Sequence, residues 1–388
     1  MQLRLAAMAL FVVAHAPGGL AQESVPPENE EAALYTPITQ RAAEGALRWL
    51  ASQQNEDGSW NAWIGFKIND TYRPQPFNQG PDGLPHIGVT SLATMAFLSG
   101  GHLPDQGPYG SIVGKALDFV LRNVREDGYI TSHDSRMYSH AFSVLLLAEA
   151  YGMTGRSDIR EKLDRAVEFT YKSQNEKGGW RYVPNARDSD MSITVCQVVA
   201  LREARNIGIR VPKETIDKAL EYVMQSAVTY GEDRGAFLYQ EQDVPFNRNS
   251  FALTAAGLTT LFQAGLYTNQ DVDQFARARK LRRAPDINDC LSYLRSTYDQ
   301  VRREYRTHYF YYYGNYYAMQ ALYTRGGREW REWYAMVRDD LLQGAKRTSL
   351  DSGEGVYWEA RYVGKTFTTA LAAIMLQVPT HYLPIFQR

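Results

Sequence analysis

The sequence predicts an all-α fold, an (α/α)6 toroid of six helical hairpins, on three observations. A first segment type recurs with an aromatic residue set among aliphatic ones: Ala46-Leu47-Arg48-Trp49-Leu50, Ala116-Leu117-Asp118-Phe119-Val120, Ala166-Val167-Glu168-Phe169-Thr170 and Ala219-Leu220-Glu221-Tyr222-Val223, with weaker copies at 290–294 and 333–337. Between the copies lies a second type, rich in Ala, Leu, Val and Thr and poor in charge, with starts aligned at Gly88, His140, Ser192, Ser250, Asn315 and Thr366, at intervals of 52, 52, 58, 65 and 51 residues. Third, this second type often runs into glycine, at Gly100-Gly101, Gly152, Gly208, Gly265 and Gly326-Gly327, which suits a left-handed helix stop. An amphipathic helix can keep one face in water, whereas a helix apolar around most of its circumference must be covered on both sides. Two concentric layers satisfy both, and closing them into a ring removes the terminal repeats that an open solenoid has to cap. An open superhelix of helix pairs is the alternative architecture. No β-strand is expected.

In chain order, residues 1–21 read as a secretory signal peptide, with Arg4 as the basic region, an apolar run from Leu5 to Val13 and a small-residue cleavage site at Gly19-Leu20-Ala21. Residues 22–37, with Pro26-Pro27 and a Glu-rich run, read as a disordered leader, and residues 38–388 as the toroid domain. An exported protein with no stable membrane insertion is expected, because no later stretch is apolar for long enough to cross a bilayer. The 42 Lys and Arg against 43 Asp and Glu give a net charge of -1, and their interspersion argues against a nucleic-acid partner. Cys196 and Cys290 fall in helical patterns of different repeats and are expected as buried free thiols ahead of a disulfide. The chain also carries 26 Tyr, a residue that buries its ring and partners its hydroxyl.

Two outer segments end in a more specific pattern: Gly45 through Trp49, Gln54 and Gly58 to Trp60, and Arg165 through Phe169, Gln174 and Gly178 to Trp180. Both resemble the QW motif of the squalene and oxidosqualene cyclases, which is related to the repeats of protein prenyltransferase β subunits. A third copy, with Val124 in the Gln place and Gly128-Tyr129 at its end, is degenerate. The resemblance spans about residues 40–380. Mechanically, the Gln can satisfy open backbone groups at a helix end, the Gly permits the turn, and the Trp packs over it, so these six residues are expected to be structural.

The resemblance also gives a meaning to Arg187-Asp188-Ser189-Asp190-Met191-Ser192. In squalene-hopene cyclases a D-x-D-D-T run stands here, and its middle Asp looks like the acid that protonates an alkene. Asp188 and Asp190 match the first two acids, while Met191 replaces the third and Ser192 the Thr. As a general acid, Asp190 would need a raised pKa, and His140 or Tyr138 could assist. The simpler alternative is that Asp190 is an N-cap. Against a squalene cyclase stand the missing third acid and a length that holds one toroid rather than two. A zinc set like that of the prenyltransferases would place Ser192 where Cys is required. No D-D-x-x-D run for magnesium and no Cys-Gly-Glu-Gln thioester occur, so neither metal nor cofactor is expected.

Residues at the aligned inner-helix starts should converge at one mouth of the ring: His86, Tyr138 with His140, Asp190 with Ser192, Arg248 with Asn249, Tyr313 with Asn315, and Lys365. Such a polar set favours a bound small molecule, lipid or glycan. The loop from Asn61 to Pro85, with Trp63, Phe66, Tyr72 and Phe77 beside Asp70, Arg73 and Asp82, has the aromatic and carboxylate content of a sugar cleft. The leading expectation is an exported cyclase-like toroid with a ligand-binding mouth built from His86, His140, Asp190, Arg248, Asn315 and Lys365, in which Asp190 is the general acid if the site is catalytic. The alternatives are a polysaccharide-processing enzyme using loop carboxylates and a non-enzymatic module binding a protein or lipid.

Overall fold

The computed structural model describes residues 33–68, 71–74, 79–80, 82–240, 248, 250–361 and 363–387. The expected signal peptide, all but the end of the leader, Asp70, Phe77 and Asn249 lie outside them. In chain order the helices are α1 (Pro37–Ser52), α2 (Ile87–Ser99), α3 (Gly110–Arg122), α4 (Arg136–Thr154), α5 (Ser157–Lys172), α6 (Met191–Asn206), α7 (Lys213–Gln225), α8 (Phe251–Gln263), α9 (Asn269–Ala278), α10 (Ile287–Tyr305), α11 (Tyr309–Arg325), α12 (Gly327–Gly344) and α13 (Gly364–Gln377).

These helices form the two concentric layers. The inner ring runs α2–α4–α6–α8–α11–α13, each packed on the next, and α13 packs back on α2, so the toroid is closed and the open superhelix is excluded. Outer helices wedge between inner neighbours: α1 against α13 and α2, α5 against α4 and α6, α7 against α6 and α8, α10 against α8 and α11, and α12 against α11 and α13, while α3 packs on α2. Burial follows the pattern in the sequence. All of α2 is buried, whereas α5 buries only Ile159, Leu163, Ala166, Val167 and Thr170, one stripe at helical spacing.

The Gln-Gly-Trp residues make hydrogen bonds within and between repeats. Gln54 Nε2 donates to the carbonyls of Gly58 (3.1 Å) and of Ile112 in the first turn of α3 (2.9 Å), and Gln174 Nε2 does the same with Gly178 (2.8 Å) and Thr215 in α7 (2.9 Å). Trp60 Nε1 donates to the Leu50 carbonyl at 2.8 Å and Trp180 Nε1 to that of Thr170 at 2.9 Å, each closing the end of its own outer helix. Their backbone N–H groups donate to Thr90 and Thr194 on the following inner helix, a bond repeated from Phe237 to Thr254 and from Trp358 to Thr369. Gly178 has φ +88°, and a Cβ there would stand 2.2 Å from the Lys218 carbonyl oxygen of α7. Gly178→Ala is therefore expected to cost about 3 kcal/mol in a denaturant titration, because strain and a backbone clash act together.

The structure departs from the sequence reading in register. Helix α4 begins at Arg136 and α11 at Tyr309, four and six residues ahead of the aligned starts His140 and Asn315, because Tyr309-Phe310-Tyr311 joins the helix instead of preceding it. Helix α4 runs through Gly152 and stops at Gly155 in the left-handed region (φ 65°). Three short two-stranded sheets appear where no strand was expected: β1 (Asn61–Ala62) with β4 (Leu84–Pro85), enclosing the hairpin of β2 (Gly65–Ile68) and β3 (Thr71–Pro74), and the hairpin of β5 (Lys346–Leu350) and β6 (Gly353–Tyr357). The long fourth interval holds the extra helix α9, opened by a Thr268–Asp271 capping box. Cys196 and Cys290 are free and buried.

Candidate functional site

The N-terminal ends of the inner helices share one mouth, and the polar side chains gather there mainly on α4, α6 and α11. Asp190 is fully buried and caps α6: Oδ1 accepts from the Ile193 N–H at 2.9 Å and from the Ser192 hydroxyl at 2.5 Å. Oδ2 faces Arg181 Nη1 at 3.2 Å, and Nε of the same guanidinium faces Asp188 at 3.2 Å. Burial raises the Asp190 pKa, while Ser192, the Ile193 N–H and Arg181 oppose the shift. Tyr138 donates to Ser192 Oγ at 2.7 Å, completing a Tyr138–Ser192–Asp190 relay.

Across the ring, the Tyr313 hydroxyl donates to the Ser192 carbonyl at 3.1 Å, and Tyr317 Oη lies 3.1 Å from Cys196 Sγ. Helices α6 and α11 are separated by α8 in the ring, so these contacts span the lumen. Tyrosines thus bridge the channel just below the mouth. Burial pushes the Cys196 thiol up to about 12, which leaves it protonated and unreactive.

Of the cluster on the open side of Asp190, sequence reasoning singled out only Arg248. Arg181 stacks over Tyr182 (4.9 Å) and Tyr239 (5.6 Å), Arg248 over Tyr239 (4.7 Å), and the hydroxyls of Tyr182 and Tyr239 are hydrogen bonded to each other. A signal was present, because Tyr182 and Tyr239 each stand two residues after an aligned repeat aromatic, Trp180 and Phe237.

Of the other expected members of the mouth, His140 and Asn315 are packed inside the ring wall, whereas His86 and Lys365 stand at the starts of α2 and α13. His140 is wholly buried between α4 and α5. Its Nδ1 accepts from the Ile130 N–H at 3.2 Å, so the other nitrogen carries the proton toward Thr170 Oγ1 at 2.8 Å, and Tyr129 and Phe169 flank the ring. Burial pulls its pKa down to about 3. His140 fills the place that Thr90 and Thr194 take in neighbouring repeats, and it does not meet Asp190. Asn315 is buried in the second turn of α11, where Nδ2 donates to the Tyr311 carbonyl at 3.0 Å. Lys365 lies over the Tyr357 ring at 5.0 Å, on the β5–β6 hairpin side. His86 caps α2, with Nδ1 accepting from the Val89 N–H at 3.3 Å, and its burial pulls the pKa down to about 4. Its backbone N–H donates to the Trp60 carbonyl, as that of Asp190 does to Trp180, so the two are repeat equivalents. The structure therefore joins Tyr138, Asp188, Asp190, Ser192 and Tyr313 in one network, with Arg248 at its edge.

No group of three or more His, Cys, Asp or Glu that could hold a metal ion occurs among the described residues, and none of their helices is long and apolar enough to cross a membrane. No family model matches the sequence, and no curated protein matches it. The fold is similar to solved structures at low identity. A cellobiose 2-epimerase from Spirochaeta thermophila matches with a TM-score of 0.56 and 12% identity over 90% of this chain and 97% of that one. An α-1,6-mannanase of glycoside hydrolase family 76 from Salegentibacter, in complex with α-1,6-mannotriose, matches with a TM-score of 0.55 and 9% identity over 87% and 98%. A type II terpene cyclase from Scytonema in complex with geranylgeranyl dihydroxybenzoate matches with a TM-score of 0.50 and 12% identity over 91% and 99%. These matches make the chain an (α/α)6 toroid whose similarity extends to several enzyme families, the terpenoid cyclases being one of them.

Proposed function

We propose that this toroid, acting after export, binds and processes a glycan at the mouth of its inner ring. The observation that carries the reading is the tyrosine bridge: with Tyr313 and Tyr317 joined to Ser192 and Cys196 across the lumen, a ligand meets a shallow polar mouth rather than a dry channel. Alkene protonation suits Asp190 poorly. Both of its oxygens are engaged, one with Arg181, and no apolar cavity is needed to explain its burial. The mouth instead offers Tyr182 and Tyr239 beside two guanidiniums, the mixture of aromatic faces and charged donors with which sugars are held. Asp190 positions Arg181 and Ser192, and Asp188, whose carboxylate is 61% exposed, is in this reading the acid–base group that meets the glycan. The prevalence of glycan-acting enzymes among the similar structures supports this choice over cyclisation.

The test is an oligosaccharide panel of manno- and cello-oligomers, followed by calorimetry and product analysis. Tyr239→Ala should weaken binding of a positive oligomer about tenfold, the scale of a lost aromatic anchor. Asp188→Asn should abolish turnover with binding and melting temperature unchanged. Absence of any oligosaccharide binding, together with cyclised product from a polyprenyl substrate that Asp190→Asn removes, would restore the cyclase reading.

A further inference from the structure

A cleft on the rim of the ring lies apart from the Tyr182–Tyr239 cluster. It measures about 380 Å3 and is lined by the end of α3 and the loop that leads to α4, with Arg122, Arg125, Thr131, Ser132 and His133 in its wall. Small-ligand sites occupy about 300–1,000 Å3, so the cleft is large enough for one. Among the described residues no carboxylate lines it.

Its two guanidiniums and its imidazole are held by uncharged groups. Arg122 Nη2 donates to the Asp57 carbonyl at 3.0 Å, which uses one of its guanidinium N–H groups. Arg125 lies 5.2 Å over the Tyr129 ring, itself stacked on Phe169 at 4.8 Å. His133 Nδ1 donates to the Pro85 carbonyl at 3.1 Å. None of the three forms an ion pair among the described residues, whereas Arg181 is paired with Asp188 and Asp190. Asp134, next to His133, is turned to Arg136 at 3.5 Å. The loop is both strained and fixed. His133, Asp134 and Arg136 have φ of 48°, 61° and 67°, a left-handed backbone that residues with side chains rarely adopt. The Ser132 hydroxyl anchors it, donating to the Pro85 carbonyl at 3.2 Å and accepting from the Ile87 N–H at 3.1 Å. Strain of this kind persists where the surroundings over-determine a conformation, and it clusters at ligand sites.

We propose that this cleft binds a sulfate or phosphate ester carried by the glycan, with Arg122, Arg125 and His133 donating to its oxygens, an inference that rests on the glycan reading of the mouth. Two guanidiniums without carboxylate partners around one cleft favour an anion. A planar carboxylate is satisfied by one forked guanidinium, whereas a tetrahedral ester offers three outer oxygens, which suits three donor side chains from two segments. The cleft is also within reach of the mouth. Met137, four residues after His133, donates its N–H to the Tyr182 carbonyl at 3.0 Å. Four residues span at most about 14 Å, so one oligosaccharide can rest a ring on Tyr182 and its ester in the cleft.

The experiment titrates the full chain by calorimetry with sodium sulfate, with sodium phosphate, and with manno- and cello-oligosaccharides, each with and without one sulfate or phosphate ester. The inorganic anions should bind at one site with a Kd of about 1 mM. The ester should tighten oligosaccharide binding about tenfold, a gain that shrinks as salt rises from about 0.05 M to about 0.5 M, and the larger of the two gains identifies the ester. Arg122→Gln combined with Arg125→Gln should remove the anion binding and the gain, while the plain oligomer, held at Tyr239, binds as before. An equal gain from an oligomer with one uronate ring overturns the choice of a tetrahedral ester. Absence of anion binding up to about 20 mM, with a plain oligomer that binds and gains nothing from either ester, overturns the cleft and leaves the mouth standing. A gain that survives the double substitution overturns the assignment of these residues. Anions that bind through Arg122 and Arg125 while no oligosaccharide binds, plain or esterified, overturn the glycan reading of the mouth and with it the ester as occupant.

Discussion

Replacing Arg181 by Met is expected to destabilise the protein by about 3 kcal/mol at neutral pH. The substitution leaves Asp190 wholly buried with hydrogen bonds to Ser192 and Ile193 but without its cation. Removing one partner of a buried ion pair costs several kcal/mol because the other charge stays desolvated. The figure is set at the lower end because the Arg181 side chain is 22% exposed and its own interactions are partly screened. Two further outcomes separate this cause from lost packing. The double variant Arg181→Met with Asp190→Asn should recover most of the loss, since no unpaired charge remains. The defect of the single variant should also shrink as pH falls. The folded-state pKa of Asp190 is already raised by burial, and loss of the guanidinium raises it further, so the penalty falls on the ionised form and disappears on protonation. A defect that is constant with pH and unrelieved in the double variant would refute an electrostatic role for Arg181.

Acid should unfold the protein through His140. Its folded pKa is depressed to about 3 by burial against an unfolded value near 6.5, so the unfolded chain binds the proton first. The stability that depends on the neutral ring is fully present above about pH 6.5 and is lost as pH falls toward 3, in total up to about 4 kcal/mol. His140→Gln can keep both bonds, accepting from the Ile130 N–H and donating to Thr170, and does not titrate. Denaturant midpoints measured from pH 7 to pH 4 should therefore fall more gently in the variant. His86, pulled down to about 4, contributes the same sign and remains in both proteins. Parallel curves for the two proteins would show that His140 is not the linked group.

The two variants also mark where the sequence could be read and where it could not. The stitches were legible because Gln54, Gly58 and Trp60, and then Gln174, Gly178 and Trp180, repeat residue types whose hydrogen bonds are local or reach the next helix. The toroid followed from them and from the fully apolar inner helices. Convergence at the mouth was less legible, because it depends on register. An alignment by interval placed His140 and Asn315 at helix starts, but α4 and α11 begin earlier and turn those side chains into the packed layers. A one-turn error in a helix start moves a residue by about 5 Å along the axis. Arg181 and Tyr239 belong to the turns between layers, where the one signal was their place one and two residues after the repeat aromatics Trp180 and Phe237, a spacing too short to set either apart from an ordinary turn residue.

By itself the sequence determined that this chain folds as a closed double ring of helices, since each helix type has only one environment in which its apolar surface is covered. The tertiary structure alone decided what lies inside the ring. It set Tyr313 and Tyr317 of one inner helix against Ser192 and Cys196 of another that is not its neighbour, joined Asp190 to Arg181, and brought Glu149 under the C-terminal strap. These contacts link residues 9 to 236 positions apart, most of them across repeats. No spacing rule covers such distances, because the pairing depends on how six helices are rotated about their axes, and that rotation is settled by packing around the whole ring.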